Sequence, residues 1–303
     1  MSAVDLSSLP APQIIDVPDF ETLLSARKAR LVSLYPAELQ EAVARALELE
    51  SEPQLKILQE NCYREILLRQ RINEAVQAVI IARSGGGDLD NLVANFNVQR
   101  LVVTPADETA VPPVPAVMES DEDLRQRAPE AFEGLSVAGP EAAYNFHARS
   151  ADGRVADAST VSPSPAAVVV TVLSHEGNGQ ASQALLDIVA SKLSAETIRP
   201  LGDRLTVQSA AITEYRVAAK LHLFDGVVAG PSLAAAKNNL AAYLLEQKKL
   251  ARSIRRDNYK AVLRVAGVDW VELLEPAADV LMDKSQSGYC TATDITIAGD
   301  AND

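Results

Sequence analysis

Residues 168–194 have the sequence VVVTVLSHEGNGQASQALLDIVASKLS, which predicts a β-strand, a tight turn and an α-helix in succession. The β-branched run at 168–174 is typical of a buried strand. Leu185, Val189 and Leu193 recur at four-residue steps and mark one apolar helix face. This order indicates that the second half of the chain is built from α/β units.

The same alternation of strand and helix continues to residue 274. We predict strands over 204–209, 215–224 and 268–274, and helices over 182–194, 232–250 and 257–265. The order is β-α-β followed by β-α-α-β, which predicts two related split-βαβ-like α/β units. Residues 285–303 are predicted to be a polar C-terminal tail with one strand-like stretch at 293–297.

The first half is predicted to be helical. Asp19 is a good N-cap for a first helix, and residues 53–83 contain no glycine and no proline after Pro53. Such a helix is about 45 Å long at 1.5 Å per residue. Its apolar stripe is a suspected subunit interface, or else it packs across its own domain; the stripe comprises Leu55, Leu58, Cys62, Ile66, Val76 and Ile80.

The predicted fold class is therefore α+β and multidomain, with a helical N-terminal region that contains a long helix, followed by the two α/β units. Proline-rich stretches mark the expected boundaries, with a linker at 104–116 and a hinge at 162–165 (SPSP). The predicted parts are an extended arm (1–18), a helical domain (19–103), the linker (104–116), a small α+β region ending in the hinge (117–165), the first α/β unit (166–212), the second (213–284) and the tail (285–303).

Composition excludes several classes of protein. The formal net charge of −13 argues against a chain whose whole surface binds nucleic acid or anionic lipid. No apolar run approaches the length of a membrane-spanning helix, and the first 16 residues predict no signal peptide. Cys62 and Cys290 cannot by themselves form a disulfide framework or a four-ligand zinc site.

The glycine turn Gly177–Asn178–Gly179 lies between a strand and a helix, where a dinucleotide-binding turn would lie. Ser182 replaces the third glycine of that motif, and His175-Glu176 places a negative charge beside it. A tight turn capped by Ser182 explains the same residues.

Other candidate sites have structural explanations. The acidic run Glu119, Asp121, Glu122 and Asp123 suggests a cation site, but a solvated helix N-terminus explains it. The three histidines stand far apart, and no nucleophile-elbow motif accompanies them. No catalytic constellation results, which favours an assembly protein over an enzyme.

Basic residues cluster between 248 and 264 against the overall charge. A solvated face explains this cluster, docking onto an acidic patch of a neighbouring subunit is the functional alternative, and nucleic-acid binding lacks stacking aromatics. Lys248, Arg252 and Arg255 are predicted to share a helical face, and the suspected interface residues of this segment are Lys248, Arg252, Arg255 and Arg256.

Several stretches, in order along nearly the whole chain, resemble hallmarks of the baseplate J-like family. They are LPAP (9–12), ELQEAVAR (38–45), DLD (88–90), NFNVQR (95–100), YNFHARSADGRVADAS (144–159), SPSP (162–165), VLS with EGNG (172–179), RPL with Asp203 (199–203) and GV with VEL (267–273).

This resemblance implies a structural wedge subunit in the baseplate of a contractile phage tail or a tail-like bacteriocin (tailocin). It implies that two copies associate with a companion wedge protein through N-terminal helices, and that six such units form a ring around the tail hub. The family's C-terminal regions link neighbouring wedges, and the ring changes diameter when the sheath contracts. Hub and sheath-initiating proteins are further expected partners.

The resemblance implies no catalytic residues. We also expect no cofactor and no metal, and the net charge and the lack of a long apolar run predict neither a nucleic acid nor a membrane as partner. The expected location is the virion tail baseplate, after assembly in the bacterial host cytoplasm. Two enzymatic alternatives remain at this point: a nucleotide-binding α/β enzyme that uses the turn from Gly177 to Ser182, and a peptidoglycan-cleaving tail component, for which neither an acid pair nor a metal site is found.

Overall fold

The computed structural model describes residues 9–10, 12, 19–135 and 139–298. Most of the predicted arm (1–18) and the end of the predicted tail (299–303) lie outside the described residues. The chain forms two compact units, Met1–Gln99 and Arg100–Asp303.

The first unit is helical. Its helices are α1 (Phe20–Ser33), α2 (Ala37–Ala46), α3 (Pro53–Ala78) and α4 (Gly86–Ala94). Asp19 caps α1 as predicted, because its carboxylate accepts a hydrogen bond from the Thr22 N–H at 2.8 Å. The long helix is shorter than the predicted 53–83, since the backbone turns after Ala78 through bonds to Gln77 O and Ile80 O.

The second unit begins with short elements. They are β1 (Val102–Thr104), β2 (Val117–Met118), α5 (Asp121–Glu130), a 3₁₀ turn (Glu133–Leu135) and α6 (Glu141–Arg149). The predicted linker at 104–116 does not extend between domains. Asp107 and Val114 exchange backbone hydrogen bonds of 2.9 and 3.0 Å, and β1 pairs with β2, so this segment folds back on itself.

The central sheet has the order β3-β4-β5, from β3 (Val155–Ser164), β4 (Ala167–Ser174) and β5 (Arg204–Ser209). The antiparallel β3 and β4 form a hairpin, and α7 (Gln183–Leu193) connects β4 to the parallel strand β5. The predicted hinge at 162–165 is this hairpin's end. Ser164 pairs with Ala167, and Ala166 takes a left-handed φ of 64° to close the turn.

The C-terminal sheet has the order β7-β6-β8, from β6 (Ala211–Leu223), β7 (Val268–Glu275) and β8 (Gln286–Ile297). Helices α8 (Ala229–Gln247) and α9 (Arg256–Leu263) lie between β6 and β7 in the sequence. The strand-like stretch predicted at 293–297 is confirmed, but the polar tail predicted for residues 286–292 is wrong. Residues 286–297 form a strand that pairs in parallel with β6. Only two of its side chains are buried, so residues 286–292 lack the alternation of apolar residues that predicts a strand, and the pairing partner lies far away in the sequence.

The predicted α+β class with a helical N-terminal region is confirmed by these elements. In each three-stranded sheet the middle strand has one antiparallel and one parallel neighbour. The middle strand comes second along the chain in the central sheet and first in the C-terminal sheet. The central and C-terminal sheets therefore share a pairing pattern but differ in the order of their strands along the chain.

Aliphatic side chains dominate both sheet cores. In the central core Val170, Val172 and Leu185 are fully buried, and in the C-terminal core Val217, Leu221 and Leu263 are. Three tyrosine hydroxyls have partners: Tyr144 donates to the Asp203 carboxylate at 2.8 Å, and the hydroxyls of Tyr215 and Tyr259 lie 2.8 Å apart.

Candidate interaction surfaces

The predicted interface stripe on α3 faces the core of its own unit. Leu55 and Cys62 are 2% and 0% exposed and pack with Leu24 and Leu47. Leu58 packs at the rim of the same cluster. Burial also raises the pKa of the Cys62 thiol. These residues therefore hold the helical unit together, which corrects their assignment to an intersubunit contact.

Three residues of the predicted stripe are only half-buried. Ile66 and Val76 lie on α3, and Ile80 lies just after its C-terminal end. Their role in subunit contact stays a prediction.

A second apolar stripe lies on the solvent side of α3. Its side chains are between 54% and 69% exposed: Ile57, Leu68, Ile72 and Val79. At 3.6 residues per turn these positions fall within about 60° of one another, and about 120° from the buried side chains. Sequence periodicity alone could not distinguish the two stripes, because both recur at helical spacing. Asn61 and Arg64 interrupt this face between Ile57 and Leu68, whereas Leu68, Ile72 and Val79 follow one another at helical spacing. Scattered exposed apolar residues are common, but such a cluster on one face indicates a contact surface.

An ion pair between Arg27 and Glu65 connects α1 to α3. Arg27 donates to Glu65, and Arg69 donates to the same carboxylate at 2.7 Å. The hydrogen bond from Arg27 lowers the pKa of Glu65 below its usual value. This pairing orients the long helix and leaves the Ile57–Val79 stripe on the outside.

The basic segment is not a helical face. Helix α8 ends at Gln247 and α9 begins at Arg256, so Lys248, Arg252 and Arg255 do not share a helix as predicted. Lys248 C-caps α8, where the chain leaves the helix with a ψ of 64°. The residues between the helices bond to distant parts of the second unit instead: Lys249 to Gln126 of α5, Leu250 to Asp157 of β3 and Ala251 to Gln286 of β8.

The lysines of this segment join two parts of the second unit. The Lys248 ammonium donates to His175 O at 3.0 Å, and the Lys249 ammonium donates to Gln126 Oε1 at 2.9 Å. Burial lowers the pKa of Lys248. Lys248 therefore makes an intramolecular contact, so its ammonium group is less available to a neighbouring subunit than the sequence predicts.

The arginines of the segment differ in role. Arg256 donates to Leu273 O at 2.8 Å and to Pro276 O at 2.7 Å, so it ties α9 to the end of β7. Arg255 pairs with Asp279 at 3.0 Å and stays half exposed. Arg252 is exposed and makes no ion pair within the described residues. Of the four predicted residues, Arg252 and Arg255 thus remain available to a partner.

A joint connects the central and C-terminal sheets. The Leu250 N–H donates to the Asp157 carboxylate at 3.0 Å, and Leu250 packs in a small apolar cluster with Leu173 and Ala210. Only Ala210 separates β5 from β6. The short connection, this hydrogen bond and the apolar cluster together hold the two sheets in one compact unit.

A buried ion pair underlies the acidic run. Arg127 donates to Glu119 in a bidentate arrangement at 2.8 and 2.6 Å, and their side chains are 4% and 8% exposed. Glu119 Oε2 also accepts from the Leu101 N–H at 3.1 Å. The interpretation as a solvated helix end is therefore wrong for Glu119, since its partner lies on the buried side of α5. The interpretation as a helix N-terminus holds for Ser120, the N-cap of α5, whose hydroxyl accepts a hydrogen bond from the Asp123 N–H.

The glycine turn is built as a tight turn. Gly177 and Gly179 take φ values of 53° and 103°, and a Cβ on Gly179 would lie 2.9 Å from the Leu173 side chain. The Gln180 N–H donates to Asn178 Oδ1, and Ser182 caps α7 through the Leu185 N–H. The glycines therefore serve the backbone geometry and the packing against β4.

The histidines do not converge on one site. His147 Nε2 lies 3.1 Å from Gly134 O, and burial lowers the pKa of this imidazole. His222 stacks on Trp270 with ring centroids 3.7 Å apart. Among the residues that the structure describes, no group of His, Cys, Asp and Glu is arranged to hold a metal ion. Over the same residues, no helix has the length and apolar character needed to cross a membrane.

Comparison with known proteins agrees with the resemblance. Three domain models of one family match in chain order: the baseplate J-like N-terminal domain at residues 50–107, the central domain at 136–209 and the C-terminal domain at 215–297. Baseplate protein J of Escherichia phage P2 is 52% identical over 299 residues, which cover 99% of each chain. The chain therefore belongs to the baseplate J-like family.

Proposed function

We propose that this chain is a structural wedge subunit of a contractile-tail baseplate, and that it acts by binding neighbouring subunits. Membership of the family supports a structural role in a phage baseplate and a location in the virion tail. The enzymatic alternatives gain no support, because the turn and the histidines have structural roles.

The finer assignment concerns the assembly. We infer that two copies join a companion wedge protein, that six such units close a ring around the hub, and that the ring rearranges when the sheath contracts. Assembly in the host cytoplasm, contact with hub or sheath-initiating proteins, and a tailocin as an alternative particle belong to the same proposal. A ring of this kind requires heterologous contacts that close.

The observation that carries the proposal is the exposed apolar stripe of α3. A helix that buries one apolar face in its own domain and exposes a second apolar face needs a second partner. Helices from other subunits provide such a partner in a bundle. The ion pair of Arg64 with Glu60 at 2.8 Å lies between Ile57 and Leu68, so polar and apolar contacts alternate along this face, as they do in interfaces between subunits.

Co-expression with the companion baseplate proteins of the same phage tests this proposal. Replacing Ile72 by glutamate places a charge in the stripe, whereas Gln70→Glu adds the same charge on another exposed face of α3. We expect Ile72→Glu to weaken the hetero-complex by about tenfold or more and Gln70→Glu to leave it unchanged. Equal complex formation by both variants, measured by co-purification and light scattering, would overturn the role of the stripe.

A further inference from the structure

We propose that the free edge of β8 binds the same edge of a second copy of this chain, so that two three-stranded sheets join into one six-stranded sheet. The two β8 strands run antiparallel, with Thr293 of both copies at the twofold axis. This inference rests on the proposed function for its biological setting, and it names one self-contact and the residues that select it.

The C-terminal half of β8 is an open edge. The strand lies at the end of the order β7-β6-β8, and residues 291–294 are exposed. The N-terminal half is covered, because Gln286 O accepts from the Ala251 N–H at 3.0 Å and the Ser287 hydroxyl donates to Lys249 O. In the described part of the chain no other strand pairs with residues 291–297 on that side. An exposed strand edge is a template for pairing with another chain.

The backbone direction follows from one hydrogen bond. The Ala298 N–H donates to Leu221 O at 3.0 Å, so the backbone groups of Ala298 point toward β6. Because successive residues of a strand direct these groups to alternate sides, the N–H and C=O of Thr293 and Ile295 point away from β6. The alternation stops at Thr291, which the register with β6 skips as a bulge. The segment contains neither lysine, arginine nor proline, which protect many natural edges.

Charge selects the register. Pairing centred on Asp294 would place two carboxylates directly opposite each other, which is unfavourable. Pairing centred on Thr293 instead places Asp294 opposite Ala292 of the second copy. The axis then has a favourable threonine pair, and the outward N–H and C=O groups of Thr293 in the two copies form about two backbone hydrogen bonds with each other.

The same register brings opposite charges together. Val217 points into the core, so its neighbour Arg216 lies on the outer face, beside Ala292 in the paired strand. Asp294 lies on that face too, since it pairs with Ala218. With strands about 4.8 Å apart, the Cα atoms of Arg216 and the second copy's Asp294 lie about 10 Å apart, within the combined reach of their side chains.

The small Ala292 leaves the path between these charges open. Within one chain Arg216 has only a weak pairing, with its Nε 3.8 Å from Glu275 and both side chains at least half exposed. A register centred on Ile295 would bring Asp294 toward Lys220, but the branched Thr296 stands between them. The twofold arrangement therefore gains two Arg216–Asp294 pairs, which argues for a second copy as the occupant of this edge.

Charge-swapped variants of the full chain test the self-pairing by sedimentation equilibrium. In Arg216→Asp and Asp294→Arg, each copy meets a like charge across the axis, twice per dimer. We expect each variant alone to raise the dimer dissociation constant about tenfold or more. An equimolar mixture of the two variants restores both opposite-charge pairs, so we expect it to dimerise like the unaltered chain. Lys220→Asp, with the same charge change as Arg216→Asp, is expected to dimerise normally.

Any of four results would overturn the proposal. The unaltered chain could remain monomeric at its highest soluble concentration. The single variants could dimerise unchanged, which would mean another surface. The mixture could fail to recover, or Lys220→Asp could be the variant that weakens the dimer. Circular dichroism confirms that each variant is folded. Since the measurement uses the isolated chain, its failure is distinct from failure of the α3 test with companion proteins.

Discussion

Replacement of Arg127 by methionine would leave the Glu119 carboxylate buried without its cation. The pair is bidentate, nearly inaccessible to water, and linked to the Leu101 N–H and to the Ser150 hydroxyl. Methionine keeps most of the side-chain volume, so the loss is chiefly electrostatic. Breaking a buried ion pair on one side costs about 3–5 kcal/mol. With a urea m-value of about 2.5 kcal/mol/M, the unfolding midpoint should fall by about 1–2 M.

Trp270 is the single tryptophan and lies in the second unit, so its fluorescence reports the unfolding of that unit in urea. The double variant Arg127→Met with Glu119→Gln provides the control, because it removes both charges together. We expect the double variant to recover most of the lost stability. If Arg127→Met alone shifts the midpoint by no more than the double variant does, the buried charge is not what stabilises this region.

Two further predictions concern stability. Arg256→Gln should lower the unfolding free energy by about 1–3 kcal/mol, because backbone carbonyls at the end of β7 lose their donor, whereas Arg252→Gln should be neutral; equal melting temperatures would contradict this. The pKa of Glu65 is lowered in the folded chain, so its stabilisation is full above its usual value of 4.5 and is lost as pH falls through the lower folded value. The difference in urea midpoint between the unaltered chain and Glu65→Gln, followed by circular dichroism, should therefore shrink on acidification, and a constant difference would refute it.

Local signals in the sequence predicted the local structure well. The sequence predicts that Asp19 and Ser182 cap helices, and each side chain accepts a backbone hydrogen bond there. Strand β5 has the predicted bounds, and β7 differs by one residue. Caps and apolar periodicity depend on neighbours within a few residues, so they can be read without knowledge of the fold.

The interaction surfaces were predicted less well. Helix α3 carries two apolar stripes, and the predicted one faces inward because α1 packs against that side. The basic segment was read as one face, but Lys248 and Arg256 bond to distant carbonyls. Which side chain reaches which carbonyl depends on how separate elements pack, and no short-range pattern records that.

The sequence by itself determined the α+β class, the helix starts and the family, because capping, periodicity and ordered motifs are written in neighbouring residues. Tertiary structure alone decided that residues 162–165 close a hairpin, that Glu119 is buried with Arg127, and that the last strand begins at Gln286 and pairs with β6. Each of these depends on a partner far away in the chain. The free energy that selects such a partner comes from pairing and burial in the folded molecule, and not from the residues beside it.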